Sequence, residues 1–373
     1  GETGAVRWRF QLVHQDFWDF DTPAAPVLLT LRREGKAIPA LAQNSKMGFV
    51  YLLHRETGEP LIPVEERPVP QGGPLAPYLS PTQPFPPEAY RFARPFDPAR
   101  VPFGCGKLMD GMVQGPIFSP ITTEWTLGFP SHAGASNWGG LAADSQRQTL
   151  AFHIQSLASR TKLIPRTTVA AALPQLASWD PAFDLDALDR GAYQPPPEAW
   201  AELKAALEVP PGAELAWQRG TSHFMAREFP MAPLPCAGGP FNEVLSFDLA
   251  EERPRFRQPH GQDPLSKRLP LELGMGMIGQ GGPLLTAGGV LFLGASADER
   301  FRAYDAESGA LLWEHALPYS GLATPMAYAV QRPNGDWQSF VVIAAGGDAR
   351  LGAFGGGGGD FLVAFALPSA QEN

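Results

Sequence analysis

The sequence predicts an all-β fold, a β-propeller with proline-rich loop insertions, on three observations. A short strand-turn-strand unit ending in an aromatic residue recurs along the chain. Forty glycines and forty prolines are spread through it, cutting it into short segments. Amphipathic helix is almost absent. Copies of one small strand unit arranged around an axis make a propeller. A β-sandwich with irregular hairpins is the alternative.

Taken in order, residues 3–8 carry a first trace of the unit, and residues 49–53 and 60–62 are strands around the turn Arg55-Glu56-Thr57-Gly58. Residues 66–100 are crowded with proline. Residues 167–235 hold the one expected helix, over 197–207, where proline occupies the first turn and Trp200, Leu203, Ala206 and Leu207 follow at helical spacing. Both stretches read as insertions over a propeller face. Residues 290–293, 301–304 and 310–313 form a meander whose turns are Ala297-Asp298-Glu299 and 305–309, and strands at 340–345 and 361–366 close the chain.

Composition sets the outer limits. With 373 residues, 44% hydrophobic and 18% charged, the chain is globular material for one large domain or two modest ones. A net charge of −9, with no basic cluster longer than Arg32-Arg33, gives a nucleic-acid surface no support. No apolar run is long enough to span a bilayer. Gly1-Glu2-Thr3-Gly4 reads as the turn of an element already under way, so further chain is expected upstream. Two cysteines, Cys105 and Cys236, fit either one disulfide or two thiols.

The chemistry concentrates at residues 13–21, Val-His-Gln-Asp-Phe-Trp-Asp-Phe-Asp, which set His14, Asp16, Asp19 and Asp21 among three aromatic rings without a lysine. Carboxylates beside rings lose hydration, which raises their pKa unless cations or donors hold the charged form; general bases and metal sites are built this way. Other motifs fail on context. Gly274, Gly276 and Gly279 match a dinucleotide fingerprint, but glycine and a strand follow where a helix is needed. The glycines at 355–359 lead into Asp360 and read as a flexible turn, not a phosphate loop. The seven histidines show no zinc spacing, and no nucleophile elbow exists.

An ordered series of motifs then carries a resemblance. Residues 8–21, Gln43-Asn44-Ser45-Lys46-Met47-Gly48, Arg55-Glu56-Thr57-Gly58, Ser80-Pro81-Thr82-Gln83-Pro84-Phe85, Asn137-Trp138-Gly139-Gly140, Lys162-Leu163-Ile164-Pro165-Arg166, Arg302-Ala303-Tyr304-Asp305 and Ala364-Phe365-Ala366-Leu367-Pro368 occur in one order. Together they resemble the membrane-bound, pyrroloquinoline-quinone (PQQ)-dependent glucose, quinate and polyol dehydrogenases along the whole chain. The resemblance implies the C-terminal half of an eight-bladed propeller, a partial propeller whose early blades and membrane anchor lie upstream of Gly1. It implies PQQ and a divalent cation, Ca²⁺ or Mg²⁺, as cofactors. It also implies an alcohol or sugar substrate, ubiquinone as electron acceptor, and a place on the periplasmic side of the bacterial inner membrane.

Site roles follow residue by residue from the same resemblance. Asp19 matches the base that takes the alcohol proton, with burial beside Trp18 and Phe20 expected to raise its pKa; it is also an expected partner of the metal. Lys46 matches the lysine by the quinone oxygens, where a fixed cation stabilises negative charge. Asp298 matches an acid near that lysine that would orient it. His153 stands where the family usually has a cofactor-binding asparagine. Asp348 replaces a histidine, and Phe241-Asn242 replaces a Trp-Gly pair. A Cys105–Cys236 bridge is expected from the periplasmic setting of the family and the presence of only two cysteines. The rival reading is a non-catalytic propeller scaffold, favoured by the departures at His153 and Asp348.

Overall fold

The computed structural model describes residues 2–101, 105–189, 193–218, 221–230, 235–263, 266, 273–348 and 357–366. It is built from antiparallel sheets, as a β-propeller requires. The first sheet is a three-stranded meander of Val27–Arg33, Lys36–Asn44 and Val50–His54. Residues 60–62 do not add a fourth strand, as the sequence had suggested. Pro60 and Pro63 lack the N–H groups a ladder needs, and only a bridge at Leu53 and one bond from Leu61 N to Leu52 O (2.8 Å) remain. Residues 3–8 form no strand either; the chain crosses the turn at 55–58, with Trp8 Nε1 donating to Arg55 O at 3.1 Å.

Two four-stranded sheets are interlaced. One runs Glu214–Trp217, His223–Glu228, Ser159–Pro165, Thr126–Gly128; the other runs Arg253–Pro259, Asn242–Asp248, Thr149–Gln155, Ala142–Asp144. The chain lays one strand of the former, two of the latter, returns to complete the former, and only then completes the latter. Residues 214–228, within the stretch read as an insertion, are thus sheet strands. The helices there are Arg166–Ala172, Leu185–Asp189 and Pro197–Ala206, more than the single one expected.

The meander at Leu284–Leu285, Val290–Leu293, Arg300–Asp305 and Leu311–Ala316 forms a fourth sheet, and Met326–Gln331, Trp337–Gly347 and Gly358–Ala366 a fifth. A hairpin of Glu65–Pro68 and Thr82–Phe85 occupies the proline-rich stretch. The glycine run at 355–359 lies partly outside the described residues, and the strand beginning at Gly358 takes up its end.

Sheets pack face to face because side chains alternate along each strand. In Thr149–Gln155, every residue is buried. Leu150, Phe152 and Ile154 meet Leu29, Leu31 and Leu52 of the first sheet, while Ala151 on the opposite face meets Leu291, Leu293 and Tyr304 of the fourth. Phe301 and Leu317 in turn meet Ile343 and Ala345 of the fifth. The strand is thus covered on both faces, so its polar residues Thr149, His153 and Gln155 are buried as well.

Two covalent and ionic fastenings hold the loops. Glu243, its side chain 1% exposed, accepts from both Arg94 (Nη2 at 2.6 Å, Nε at 2.9 Å) and Arg257 (Nη2 at 2.6 Å), pinning residues 86–100 to the sheet. Cys105 and Cys236 form a disulfide across a separation of 131 residues, as expected. Constraining so long a loop in the unfolded chain stabilises the fold by roughly 2–5 kcal/mol. A Cys105→Ser, Cys236→Ser double variant is therefore expected to unfold at clearly lower urea than wild type, and a matching midpoint would dismiss the bridge as a stabiliser. Among the described residues no helix is long and apolar enough to cross a membrane.

Candidate active site

The site forms where residues 16–21 meet the loop at 45–48. Asp16 shapes the first segment, its carboxylate accepting from Trp18 N at 2.9 Å and Phe20 N at 2.7 Å. The tight turn holds Asp19 at φ +67°, a left-handed conformation that aspartate tolerates better than most residues. Trp18 and Phe20 anchor it by packing on Phe118, at 5.3 and 5.8 Å between ring centroids, and Trp18 Nε1 donates to Ser119 O.

Lys46 sits in the turn between the second and third strands. Its N–H donates to Asp21 O at 3.1 Å and its carbonyl accepts from Ala135 N at 2.7 Å, so two other segments fix its backbone. Gly134, at φ +77°, lies against its stem, and a Cβ there would come within 2.6 Å of Lys46 Cγ. The ammonium pairs with Asp19 Oδ1 at 2.6 Å and Asp21 Oδ1 at 2.8 Å, its side chain only 12% exposed. Arg227, on the strand His223–Glu228, donates to Asp19 Oδ2 at 3.2 Å. The structure thus brings together Asp19 and Lys46, and adds an arginine that no local motif announced.

The electrostatics reverse one expectation. Burial pushes the Asp19 carboxyl up, but the Lys46 ammonium and the Arg227 guanidinium together hold it below the usual range. The aromatic-burial argument applies instead to Asp16, which burial raises above its ordinary value despite two backbone donors. Asp19 is therefore held in its charged form. Next to it lies His132, held down to about 4 by burial and by Arg227, with Nδ1 buried and without a hydrogen-bond partner.

Asp298 and His153 are engaged elsewhere. Asp298 pairs with Arg302, four residues on along the chain, at 2.5 Å, and accepts from Gln262 N at 2.8 Å, while the described carboxylate partners of Lys46 are Asp19 and Asp21. His153 is buried with both ring nitrogens engaged within the protein, Nδ1 with Asn242 Oδ1 (3.1 Å) and Nε2 with Gly281 O (2.9 Å). Both neighbouring oxygens are acceptors, so the neutral ring donates to one of them at a time. Two of the departures from the family pattern, His153 and Asn242, are thus each other's partners.

Asp19 is also poorly suited to a divalent cation, since both its oxygens already accept from cationic side chains. Among the described residues no group of three His, Cys, Asp or Glu side chains is placed to hold a metal. The expected metal role of Asp19 would require Lys46 or Arg227 to give up one of its oxygens. A quinone oxygen fits better. An ammonium has three donors, and Asp19 and Asp21 take two of those on Lys46.

A buried histidine beside Asp298 and Arg302 adds an acid-sensitive element. His260 Nδ1 lies 2.9 Å from Tyr304 Oη and Nε2 2.5 Å from Gly294 O, a pairing that suits neutral imidazole. Burial and the Arg302 charge hold it down to about 3. Because the folded value lies below the unfolded one, its contribution is complete above about 6.5 and is lost as pH falls toward about 3. The urea midpoint is expected to drop between pH 7 and pH 5, and a His260→Gln variant to show a shallower drop; equal slopes would assign the acid loss to other groups.

Residues 1–336 match the family described as the PQQ glucose/ethanol/alcohol dehydrogenase β-propeller domain. The chain is 33% identical over 377 residues to the quinoprotein glucose dehydrogenase of Escherichia coli, covering 98% of this chain and 43% of that protein. It is 28% identical to the quinate/shikimate dehydrogenase (quinone) of Acinetobacter baylyi, covering 98% of this chain and 43% of that protein. It is also 28% identical to the glycerol dehydrogenase large subunit of Gluconobacter thailandicus, covering 99% and 48%. The chain thus spans less than half the length of these relatives. Among solved structures it is similar to the quinohemoprotein alcohol dehydrogenase ADHIIG of Pseudomonas putida HK5. That match has a TM-score of 0.50 and 19% identity over 92% of this chain and 37% of that one, a likeness of fold.

Proposed function

Since the chain belongs to the PQQ-dependent glucose/ethanol/alcohol dehydrogenase β-propeller family, we propose that it forms part of an enzyme that oxidises a sugar, polyol or cyclitol alcohol group. The observation that carries this reading is the Asp19–Lys46 contact at 2.6 Å, a carboxylate acceptor and a largely buried ammonium brought together from separate segments. When bound, the quinone would take up the hydride from the alcohol carbon. The third N–H of Lys46 would donate to a quinone oxygen, and a fixed cation would stabilise negative charge there. Asp19 receives the alcohol proton at a carboxylate oxygen. Arg227 then limits how basic that oxygen is, since it lowers the carboxyl pKa together with Lys46.

The wider setting follows the same reading: ubiquinone as electron acceptor, a periplasmic location, and membrane contact made outside residues 1–373. The disulfide supports the compartment, because such bridges persist in oxidising surroundings. The test is full-length protein given PQQ and Ca²⁺ or Mg²⁺, with dye reduction followed on glucose, quinate and glycerol. Dye reduction with at least one of them is expected. None with any, while PQQ binds, would favour a propeller scaffold instead.

A further inference from the structure

A cleft of about 650 Å³ is lined by Met47 and Phe49 from the turn that carries Lys46, by Arg91, Arg94 and Phe96 from the end of the proline-rich stretch, and by Phe129. Proteins hold small molecules in sites of this size, mostly apolar with a few placed polar groups. Arg91 is fixed at its wall from the backbone, since it forms an antiparallel bridge with Phe49 and the next residue, Phe92, donates its N–H to Gly48 O at 2.8 Å. Its side chain has no such anchor. Nε of Arg91 is buried without a hydrogen-bond partner, and among the described residues the guanidinium makes no ion pair. Two charged neighbours leave it so. Arg94 is committed to Glu243, and Glu88, which also lines the cleft, is exposed and does not pair with Arg91.

A buried donor left unmade is costly, the more so on a charged group. The edge concerned, Nε with one Nη, is the planar fork that takes both oxygens of a carboxylate in parallel. We propose that this cleft binds a small carboxylate carried on an aromatic body, Arg91 holding the carboxylate through Nε and one Nη while the ring lies along Phe49, Phe96 and Phe129. Each part of the wall selects one part of the ligand. A neutral aromatic compound would leave Nε unmade, and a bare inorganic anion would leave the apolar wall in water. The site stands apart from the alcohol-oxidising chemistry, since Asp19, Asp21 and Lys46 are not among its lining residues.

The test is equilibrium dialysis of the full-length protein, before cofactor is added, against 2-naphthoate and its neutral counterpart 2-naphthamide. Naphthoate is expected to bind saturably and at least about tenfold more tightly than naphthamide, the weight of hydrogen bonds to a charged partner. Arg91→Met keeps the apolar stem without the guanidinium and is expected to abolish that preference, which places the ligand in this cleft and not at another aromatic site. Arg91→Lys, with the charge but not the fork, is expected to keep part of it; it decides the matter if Arg91→Met does not fold. Naphthoate is also expected to raise the thermal midpoint of wild type progressively with concentration, and to leave that of Arg91→Met where it is. Equal binding of the two probes, a preference unchanged in both variants, or full displacement of naphthoate by an equal concentration of inorganic phosphate would overturn the assignment.

Discussion

Asp19→Asn in the full-length, cofactor-loaded enzyme is expected to lower turnover by roughly two to four orders of magnitude, the range over which a positioned general base contributes. The substitution keeps size and hydrogen-bonding capacity but removes the anion that receives the alcohol proton. It also frees Lys46 and Arg227 from a shared carboxylate, although Asp21 still holds the ammonium at 2.8 Å. Cofactor binding should therefore survive while the rate falls. The measurement is kcat alongside PQQ affinity. Unchanged kcat would dismiss Asp19 as the base, and a parallel loss of affinity would recast it as a residue that merely positions Lys46.

The second large effect is on stability. Glu243 is held by two guanidiniums, which keep its carboxyl below the usual range although burial pushes the other way. Removing one partner from a buried ionic cluster typically costs about 3–5 kcal/mol, because the remaining charges are left uncompensated. Glu243→Gln is expected to lower the unfolding free energy from a urea titration by an amount toward the lower end of that range, since the guanidiniums left behind are 40% and 20% exposed. Glu65→Gln is the contrast: its pair with Arg67 is on the surface, with side chains 62% and 41% exposed, and such pairs contribute about 1 kcal/mol or less. Equal midpoints for the two variants would show that the Glu243 cluster fastens nothing.

What could be read from the sequence was local. Alternating apolar residues and turn chemistry at 290–316 gave three strands close to where they stand, because both signals act over a few residues. Asp19 and Lys46 were legible through ordered motifs, and the structure places them in contact. Arg227 was not, since it matters only through a partner 208 residues away and lies in a stretch whose prolines and helix mask its strands. For Asp298 the motifs pointed to Lys46, and the structure pairs it with Arg302 at i+4: nothing local says which of two cations an acid will meet. His153 and Asn242 each looked like a separate departure, and only strand pairing, which sets them side by side, makes them one change.

The interlacing of the two four-stranded sheets also bears on how the chain is made. Thr126–Gly128 and Ser159–Pro165 wait for His223–Glu228, and Thr149–Gln155 waits for Asn242–Asp248. Neither sheet can finish as its first strands leave the ribosome. At a synthesis rate of about 5–20 residues per second, the early strands stay incompletely paired for several seconds or more. Pairings so distant in sequence close slowly, and Cys105 must reach Cys236 across the same interval. During that time unpaired edges and apolar faces are open to other chains. Biogenesis is therefore expected to depend on holdase chaperones, and the yield of folded protein on the pace of translation through residues 165–242.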